Sequence, residues 1–239
     1  TIHNNGSRVV MQINHAGSGT TREVTGLNPV APSAIVNPRR EGAVPLELTQ
    51  GQIKEIVNKF KEAAIRVKKA GFDGVEIHSA HGFLLNQFLS PLTNKRTDEY
   101  GGNIYGRIKI HLEIIREIKK ALGEDYPLLL RLGATDKTEG GITIEDSIKA
   151  ALEFEKAGVD ILDISGGFCG YALPGHAYFA PISAEIKKAV KVPVIVTGGI
   201  KDPYLAEKVL REGKADLIGV GRAILNDSSW AKKAVESFV

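Results

Sequence analysis

Six short apolar runs recur along the chain, and each one ends in glycine or a small polar residue. Runs of this kind are typical of strands that are buried on both faces of a parallel sheet. They occupy residues 9–14, 74–79, 128–133, 160–165, 193–198 and 217–221. This feature restricts the fold most, because strands without a polar face must be covered on both sides.

The segments between the runs carry the marks of helices. Thr49 is placed to cap a helix whose apolar residues recur at helical spacing, and Gly71 is placed to end it. Thr143 opens another helix with a capping box in which Asp146 replaces the usual Glu. Further helices are predicted over residues 105–122, 183–190 and 203–212. The alternation predicts an α/β fold with a parallel sheet and right-handed crossovers.

Two architectures fit this alternation. One is an open, doubly wound sheet, and the other is a (β/α)8 TIM barrel, which needs eight strands. Because only six runs are present, the barrel reading has strands 3 to 8 in this chain and strands 1 and 2 missing from it. A length of 239 residues suits one domain over residues 1–239. The chain opens without methionine on a polar turn, and we interpret this as a start inside a longer polypeptide.

Charge and cysteine content argue against several classes of protein. The 31 basic and 28 acidic residues are scattered, so no nucleic acid or membrane partner is expected. No apolar stretch has the length of a membrane span. The single cysteine, Cys169, cannot form an internal disulfide or a cysteine-based metal site, which favours a reducing, cytoplasmic setting. No metal site is predicted.

The segment over residues 17–48 contains four prolines and follows the first run. We interpret it as an elaborated loop after a strand. A loop of this length is usually functional, although a merely solvated excursion is an equal alternative at this point.

One long motif resembles a known family. Residues 71–91 read GFDGVEIHSAHGFLLNQFLSP, and residues 94–103 continue with NKRTDEYGGN. Both segments are similar to the old yellow enzyme family of flavin-dependent NAD(P)H oxidoreductases. Shorter matches at residues 12–17, 29–34, 130–132, 196–200 and 219–223 extend the resemblance over nearly the whole chain. The ending GRAILND at residues 221–227 is most similar to the bacterial subgroup related to 2,4-dienoyl-CoA reductase and trimethylamine dehydrogenase.

The resemblance favours the barrel and implies a function. It implies FMN as cofactor, NADH or NADPH as reductant, and a small electrophilic acceptor such as an enone, a quinone or a nitro compound. A homo-oligomer is compatible with it. Two alternatives stay open: a non-catalytic partial barrel that needs a partner chain or a missing segment, and a different flavin barrel enzyme such as a hydroxy-acid oxidase.

The resemblance also implies a cofactor site. Barrels commonly bind phosphate with the loops after strands 7 and 8, and Gly198, Gly199 and Gly221 fall in those loops. Glycine lets backbone N–H groups approach a phosphate, and Arg222 can add a charge-assisted contact. The alternative is that the glycines only turn strands into helices and that Arg222 is a solvated charge.

Two further residues match positions beside the flavin ring. Arg131 interrupts an apolar strand, where a charge needs a partner, and the family's arginine lies near the pyrimidine edge of the ring. Gln12 matches a glutamine that hydrogen-bonds the same ring. The alternative for Arg131 is a buried salt bridge with Asp163 or Glu76, and for Gln12 an ordinary polar residue at a strand end.

His78 and His81 follow the fourth barrel strand at a spacing of three residues. By resemblance they are the catalytic and substrate-binding pair that donates hydrogen bonds to the acceptor's oxygen and stabilises the charge that develops there. A structural role is the alternative. No third ligand stands nearby to make them a metal pair.

Phe83 departs from the family pattern. The matching residue is usually a tyrosine that protonates the substrate carbon opposite the hydride, and phenylalanine has no such proton. Phe83 therefore counts only as a substrate-binding residue, together with Tyr171. The sequence leaves four replacement donors open besides water: Tyr171, Tyr178, Cys169 and His176.

Overall fold

The computed structural model describes residues 1–40 and 42–238. Its strands are β1 (Val10–Ile13), β2 (Val30–Ala31), β3 (Leu46–Glu47), β4 (Gly74–Ser79), β5 (Leu128–Gly133), β6 (Ile161–Ser165), β7 (Val194–Thr197) and β8 (Leu217–Gly219). Six of them form one parallel sheet in the order β1-β4-β5-β6-β7-β8. The remaining pair, β2 and β3, forms a separate two-stranded sheet.

Each predicted run forms a strand of the large sheet, with bounds that differ by no more than two residues. The order of the strands follows the chain, as expected for crossovers between parallel neighbours. Within the described part of the chain, β1 and β8 are the sheet's edges and do not pair with each other. Val10, Met11 and Leu217 on these edges are about two-fifths to one-half exposed, since an edge strand has no neighbour on one side.

Ten helices lie between or after the strands in the described part of the chain. They are α1 (Arg22–Thr25), α2 (Gln50–Lys69), α3 (Leu84–Leu89), α4 (Ile104–Arg107), α5 (Lys109–Leu122), α6 (Ile144–Ala157), α7 (Ala180–Ala189), α8 (Pro203–Arg211), α9 (Arg222–Asn226) and α10 (Trp230–Glu236). The α2 helix begins with the capping box formed by Thr49 and Gln52, and Gly71 follows its end with a φ of +82°. Among the described residues, no helix combines the length and the apolar character that crossing a bilayer demands.

The prediction of one helix over residues 105–122 was wrong. The chain forms two helices, α4 and α5, because Ile108 separates them with a φ of −90° and a ψ of −1°. The Asn103 side chain caps the first by accepting from the backbone of Tyr105 and Gly106. Arg107, which is buried, donates to the carbonyl oxygens of Leu89 and Gly102 and also contacts Asp146. Those contacts tie the short α4 helix to α3, through Leu89, and to α6, through Asp146.

The segment over residues 17–48 packs against the ends of the large sheet. Asn37 is buried, and its side chain donates to the carbonyl oxygen of Gly82 at 3.1 Å. Arg39 donates through Nη1 to the carbonyl oxygen of His81 at 2.7 Å. A merely solvated excursion is therefore the wrong reading of this segment, although Glu41 within it lies outside the described residues.

Candidate cofactor and active site

A cavity of about 330 Å³ opens at the carboxyl ends of the strands. That is the edge where open and closed parallel α/β sheets bind ligands. Its lining is formed by Gln12, His78, His81, Arg131, Tyr171, Thr197, Gly198, Gly199, Ile200, Lys201, Gly219, Gly221, Arg222 and Ala223. Every residue predicted for the site is in this group except Phe83.

The strand register explains why polar residues converge here. His78 on β4 is paired with Arg131 on β5, and Arg131 with Asp163 on β6. Since side chains alternate between the faces of a strand, residues that are level with each other point to the same side. Their apolar neighbours along the strands, such as Ile77 and Leu130, are fully buried under the helices.

One side of the cavity is lined by glycines from the loops after β7 and β8. Gly199 has a φ of +69°, and a Cβ there would lie 2.6 Å from the Tyr178 ring. Gly221 has an ordinary φ of −108°, and a Cβ there would meet nothing within 4 Å. Glycine is thus required at residue 199 by the protein's own packing, whereas at residue 221 it leaves open space.

Arg222 stands beside these glycines at the start of α9. Its Nη2 donates to the Tyr178 hydroxyl at 2.9 Å and to the Tyr171 carbonyl oxygen at 3.3 Å. The side chain is exposed and lines the cavity, so it is neither buried nor a free-standing surface charge.

The inward-facing residues of β4, β5 and β6 include two carboxyl groups, of Glu76 and Asp163, and the Arg131 guanidinium; of these three, only Arg131 lines the cavity. Arg131 Nε lies 3.5 Å from Asp163 Oδ2, which makes an ion pair but not a hydrogen bond. Asp163 accepts a hydrogen bond from the Thr197 hydroxyl at 2.9 Å, and Glu76 accepts one from Gln12 Nε2 at 2.6 Å. The ion pair foreseen as an alternative for Arg131 is therefore present, and Arg131 lines the cavity as well.

Burial controls the protonation of these carboxyl groups. It raises the pKa of Glu76 to about 7, and the negative charge of Asp163 adds to the rise, while Gln12 and Arg131 oppose it. Burial also raises the pKa of Asp163 against the opposing effects of Arg131 and Thr197. One positive charge thus stands between two carboxyl groups that are costly to ionise here.

His78 and His81 form the third part of the lining. Their ring centroids lie 4.9 Å apart in an edge-to-face arrangement, and His81 Nε2 is 2.8 Å from the Ser165 hydroxyl. Burial, helped by the charge of Arg131, lowers the pKa of His78 to about 4 and that of His81 to about 2. Both rings are therefore neutral at neutral pH, and each offers one N–H donor.

Phe83 lies behind His78 rather than in the main cavity. Its ring centroid is 5.2 Å from that of His78, and it borders an adjoining recess together with Arg39 and Tyr171. Phe83 therefore does not line the main cavity. Tyr171 borders both spaces, and its ring lies edge-to-face against His81 at 5.2 Å.

The donor set fits FMN. Arg131 Nε and His78 Nδ1 are buried and have no hydrogen-bond partner among residues 1–40 and 42–238. Buried polar groups normally have partners. Asn86 Nδ2 and His111 Nδ1 are unpartnered among those residues as well, but of these four residues only Arg131 and His78 line the cavity, where a ligand can supply a partner. The glycine loops with Arg222 suit a phosphate, and Arg131 with Gln12 suits the polar edge of a flavin ring.

Sequence reasoning missed several residues of this site. Thr197 and Ser165 hold Asp163 and His81, and each stands at a strand end where inward-facing positions alternate. That alternation is a signal that could have identified them. Arg39 had no such signal, because it belongs to a loop without periodicity.

Comparison with known proteins identifies relatives over the full extent of the chain. The model of a family described as NADH:flavin oxidoreductase / NADH oxidase matches residues 1–238. An NADH oxidase of Thermoanaerobacter brockii is 45% identical over 244 residues, and the alignment spans 98% of this chain but 37% of that protein. The chain therefore spans little more than a third of that relative's length.

Solved structures agree with this result. The structure of 2-naphthoyl-CoA reductase in complex with 2-naphthoyl-CoA superposes with a TM-score of 0.91 at 32% identity, over 99% of this chain and 39% of that one. An old yellow enzyme homologue from Zymomonas mobilis superposes with a TM-score of 0.84 at 26% identity, over 98% of this chain and 68% of that one. The predicted barrel, with six of its strands in this chain, is confirmed.

Proposed function

Because the chain belongs to the NADH:flavin oxidoreductase / NADH oxidase family, we propose that the protein binds FMN in this cavity and is an NAD(P)H-dependent oxidoreductase. The acceptor we propose is a small electrophilic molecule, namely an enone, a quinone or a nitro compound. The observation that carries the proposal is the convergence of the three glycines and Arg222 with Arg131 and two neutral histidines on one cavity.

The phosphate of FMN would be held by the loops after β7 and β8. Gly198, Gly199 and Gly221 line the cavity, and because they have no side chains their backbone N–H groups would be able to approach an anion there. Arg222 adds a charge-assisted contact from the start of α9. Its present partners, the Tyr178 hydroxyl and the Tyr171 carbonyl, use Nη2 alone and leave the other guanidinium donors for the phosphate.

The flavin ring would be held by Arg131 and Gln12. Arg131 has an unpartnered donor, and its positive charge favours a ring that has gained negative charge. FMN, when bound, would supply a carrier that accepts hydride from NADH or NADPH and passes hydride or electrons to the acceptor.

The two histidines would bind the acceptor. As neutral imidazoles they donate hydrogen bonds without giving up a full proton, which suits an oxygen atom on which charge develops. The low pKa values keep this state over the whole neutral range. His81 is further oriented by the Ser165 hydroxyl.

Family membership favours neither alternative function. A non-catalytic partial barrel has no need of two unpartnered donors in a charged cavity. A hydroxy-acid oxidase belongs to a different family of flavin barrels, and the match over residues 1–238 is to the NADH:flavin oxidoreductases.

The test is an anaerobic titration of the full-length protein after incubation with FMN. We expect yellow protein whose flavin absorbance is bleached by NADH or NADPH and recovers on addition of an enone or a quinone. Protein that retains no FMN overturns the proposal, and so does bound FMN that neither nicotinamide reduces.

A pair of variants tests the phosphate site directly. Arg222→Met should raise the Kd for FMN by about 10- to 100-fold, since a hydrogen bond to a charged group is worth roughly 1.5–3 kcal/mol. Arg211→Met is the matched control, because Arg211 is exposed on α8, where it pairs with Glu207 and does not line the cavity. Equal affinities in the two variants contradict the assignment.

A further inference from the structure

The loop after β6 contains four side chains with a transferable proton, and the structure separates them. Cys169 donates through Sγ to the carbonyl oxygen of Thr135 at 3.1 Å and does not line the main cavity. His176 is exposed and also lies outside the lining. The Tyr178 hydroxyl already has two hydrogen-bond partners: it donates to the Tyr171 carbonyl oxygen at 2.6 Å and accepts from Arg222.

Tyr171 alone of the four lines the cavity. Its ring is in edge-to-face contact with His81, which places it on the same side as the two histidines. In the described part of the chain its hydroxyl makes no hydrogen bond, and the residue is 53% exposed. The hydroxyl is therefore free to contact a ligand and to exchange its proton with water.

Both ends of Tyr171 are held in place. Its carbonyl oxygen accepts from the Tyr178 hydroxyl and from Arg222 Nη2. Its ring lies 5.8 Å from the Arg39 guanidinium carbon, a distance at which a cation attracts an aromatic face. Since Arg39 also binds the carbonyl oxygen of His81, it ties the ring of Tyr171 to the histidine loop.

Three other proton-bearing residues of the lining, Thr197, His78 and His81, have different roles. The Thr197 hydroxyl donates to Asp163. The histidines are neutral, and a neutral imidazole N–H is a poor acid that here serves to hold an oxygen atom. Phe83, at the position where the family's tyrosine is expected, has no proton to give.

We propose that Tyr171 is the catalytic acid for alkene acceptors and that Arg39 is the residue that positions it. This assignment rests on the proposed function. Hydride derived from NADH or NADPH adds to one carbon of the C=C bond, and the Tyr171 O–H proton forms the new C–H bond at the other carbon. The tyrosinate then takes a proton from solvent water, so the acceptor gains H⁻ and H⁺ and the protein returns to its starting state.

The test compares Tyr171→Phe with Tyr105→Phe in the FMN-loaded, full-length protein. Tyr105 lies on α4, is likewise 53% exposed and is remote from the cavity, so it is a matched control. Rapid mixing without oxygen follows flavin reduction by the nicotinamide and then reoxidation by 2-cyclohexenone or by 1,4-benzoquinone. A quinone takes its protons on oxygen directly from water and has no need of a protein acid.

We expect Tyr171→Phe to slow reoxidation by the enone by about 10²- to 10⁴-fold, the usual contribution of a positioned acid. The quinone reaction should change much less, and Tyr105→Phe should resemble the wild type with both acceptors. A binding measurement completes the test: the Kd of a phenol, followed by the flavin absorbance, should stay within about threefold in Tyr171→Phe, because the histidines hold the oxygen.

Three outcomes overturn the assignment. The first is enone reoxidation that is unchanged in Tyr171→Phe. The second is enone reoxidation that falls in parallel with the quinone reaction and with phenol binding. The third is a larger enone-specific loss in Tyr178→Phe than in Tyr171→Phe. The proposed function survives all three, because the nicotinamide still reduces the bound flavin in each of them. Failure of FMN uptake or of its reduction by either nicotinamide refutes the proposed function itself.

Discussion

The two faces of the same six strands differ in almost every physical respect. On the outer face, Val75, Ile77, Leu130, Ile164 and Val196 are fully buried apolar residues covered by helices. The inner face carries the carboxyl groups of Glu76 and Asp163, and beside them the Arg131 guanidinium and the two imidazoles line a cavity.

The outer face contributes mainly to the stability of the fold, and the inner face is suited to binding a ligand. Close packing of the outer face removes apolar surface from water, which is the main favourable contribution to folding. The inner face carries carboxyl groups with raised pKa values, and its Arg131 Nε has no hydrogen-bond partner among the described residues; both features are costly in a buried place. Those costs indicate that the inner face is shaped for a ligand, because a ligand removes them.

The largest effect is expected on the outer face. Ile77→Ala should lower the free energy of unfolding by about 2–5 kcal/mol, since the residue is fully buried and leaves a cavity in a packed core. Denaturant titration of the FMN-free protein measures this. A loss below about 1 kcal/mol would show that the outer face is loosely packed, and the contrast between the faces would then fail.

The adjacent residue tests the inner face. His78→Ala should lower kcat/KM for an enone by about 10²- to 10³-fold, as the loss of one donor to a developing charge does. Its unfolding free energy should change by less than about 1 kcal/mol, because the side chain borders an existing cavity and its Nδ1 has no partner. Steady-state kinetics and denaturant titration on the same preparation check both statements. Equal losses of stability in the variants at residues 77 and 78 contradict the comparison.

Glu76→Gln should reveal how much free energy it costs the folded protein to hold an ionised carboxyl group at residue 76. Its folded pKa of about 7 lies above the ordinary 4.5, so its contribution to stability is present below the ordinary value and is lost as pH rises through about 7. The free energy of unfolding of the variant, relative to that of the wild type, should therefore rise by on the order of 2–3 kcal/mol between about pH 5 and pH 8. Unfolding of both FMN-free proteins across this range measures the difference. A difference that does not vary with pH shows that Glu76 titrates normally.

The smallest effect is expected at Gly221. Alanine fits its φ of −108° and meets no neighbour, so Gly221→Ala should change the unfolding free energy by less than about 0.5 kcal/mol. A methyl group in the open space should still weaken FMN binding by about tenfold, or about 1.4 kcal/mol. Gly199→Ala is the contrast, because its positive φ and the nearby Tyr178 ring should cost about 1–3 kcal/mol of stability as well. Unimpaired FMN binding by Gly221→Ala removes this glycine from the phosphate site.

Local patterns predicted much of the fold. The six strands and the capped starts at Thr49 and Thr143 follow from apolar runs and from side chains that accept backbone N–H groups. The break at Ile108 was missed because it depends on Arg107, whose partners lie on other segments. Propensity along one stretch of chain carries no information about such partners.

The candidate site was predictable where it lies at strand ends and unpredictable where it depends on loops. Gln12, His78, Arg131, the glycines and Arg222 were found from motifs, and the structure places them around one cavity. Phe83 was assigned to the same place but lies behind His78. Arg39, from the segment over residues 17–48, could not be identified, since its contacts join loops that are far apart in sequence.

The sequence by itself determined the alternation of strands and helices, the family, and the kinds of residue that stand at each strand end, because these depend on periodicity and on short motifs. Only the tertiary structure decided which of four candidate acids reaches the cavity. That choice depends on how Tyr178, Arg222 and Arg39 hold the loop after β6. Contacts between irregular segments are selected by packing and hydrogen bonding across the whole fold, and no repeating pattern in the chain records them.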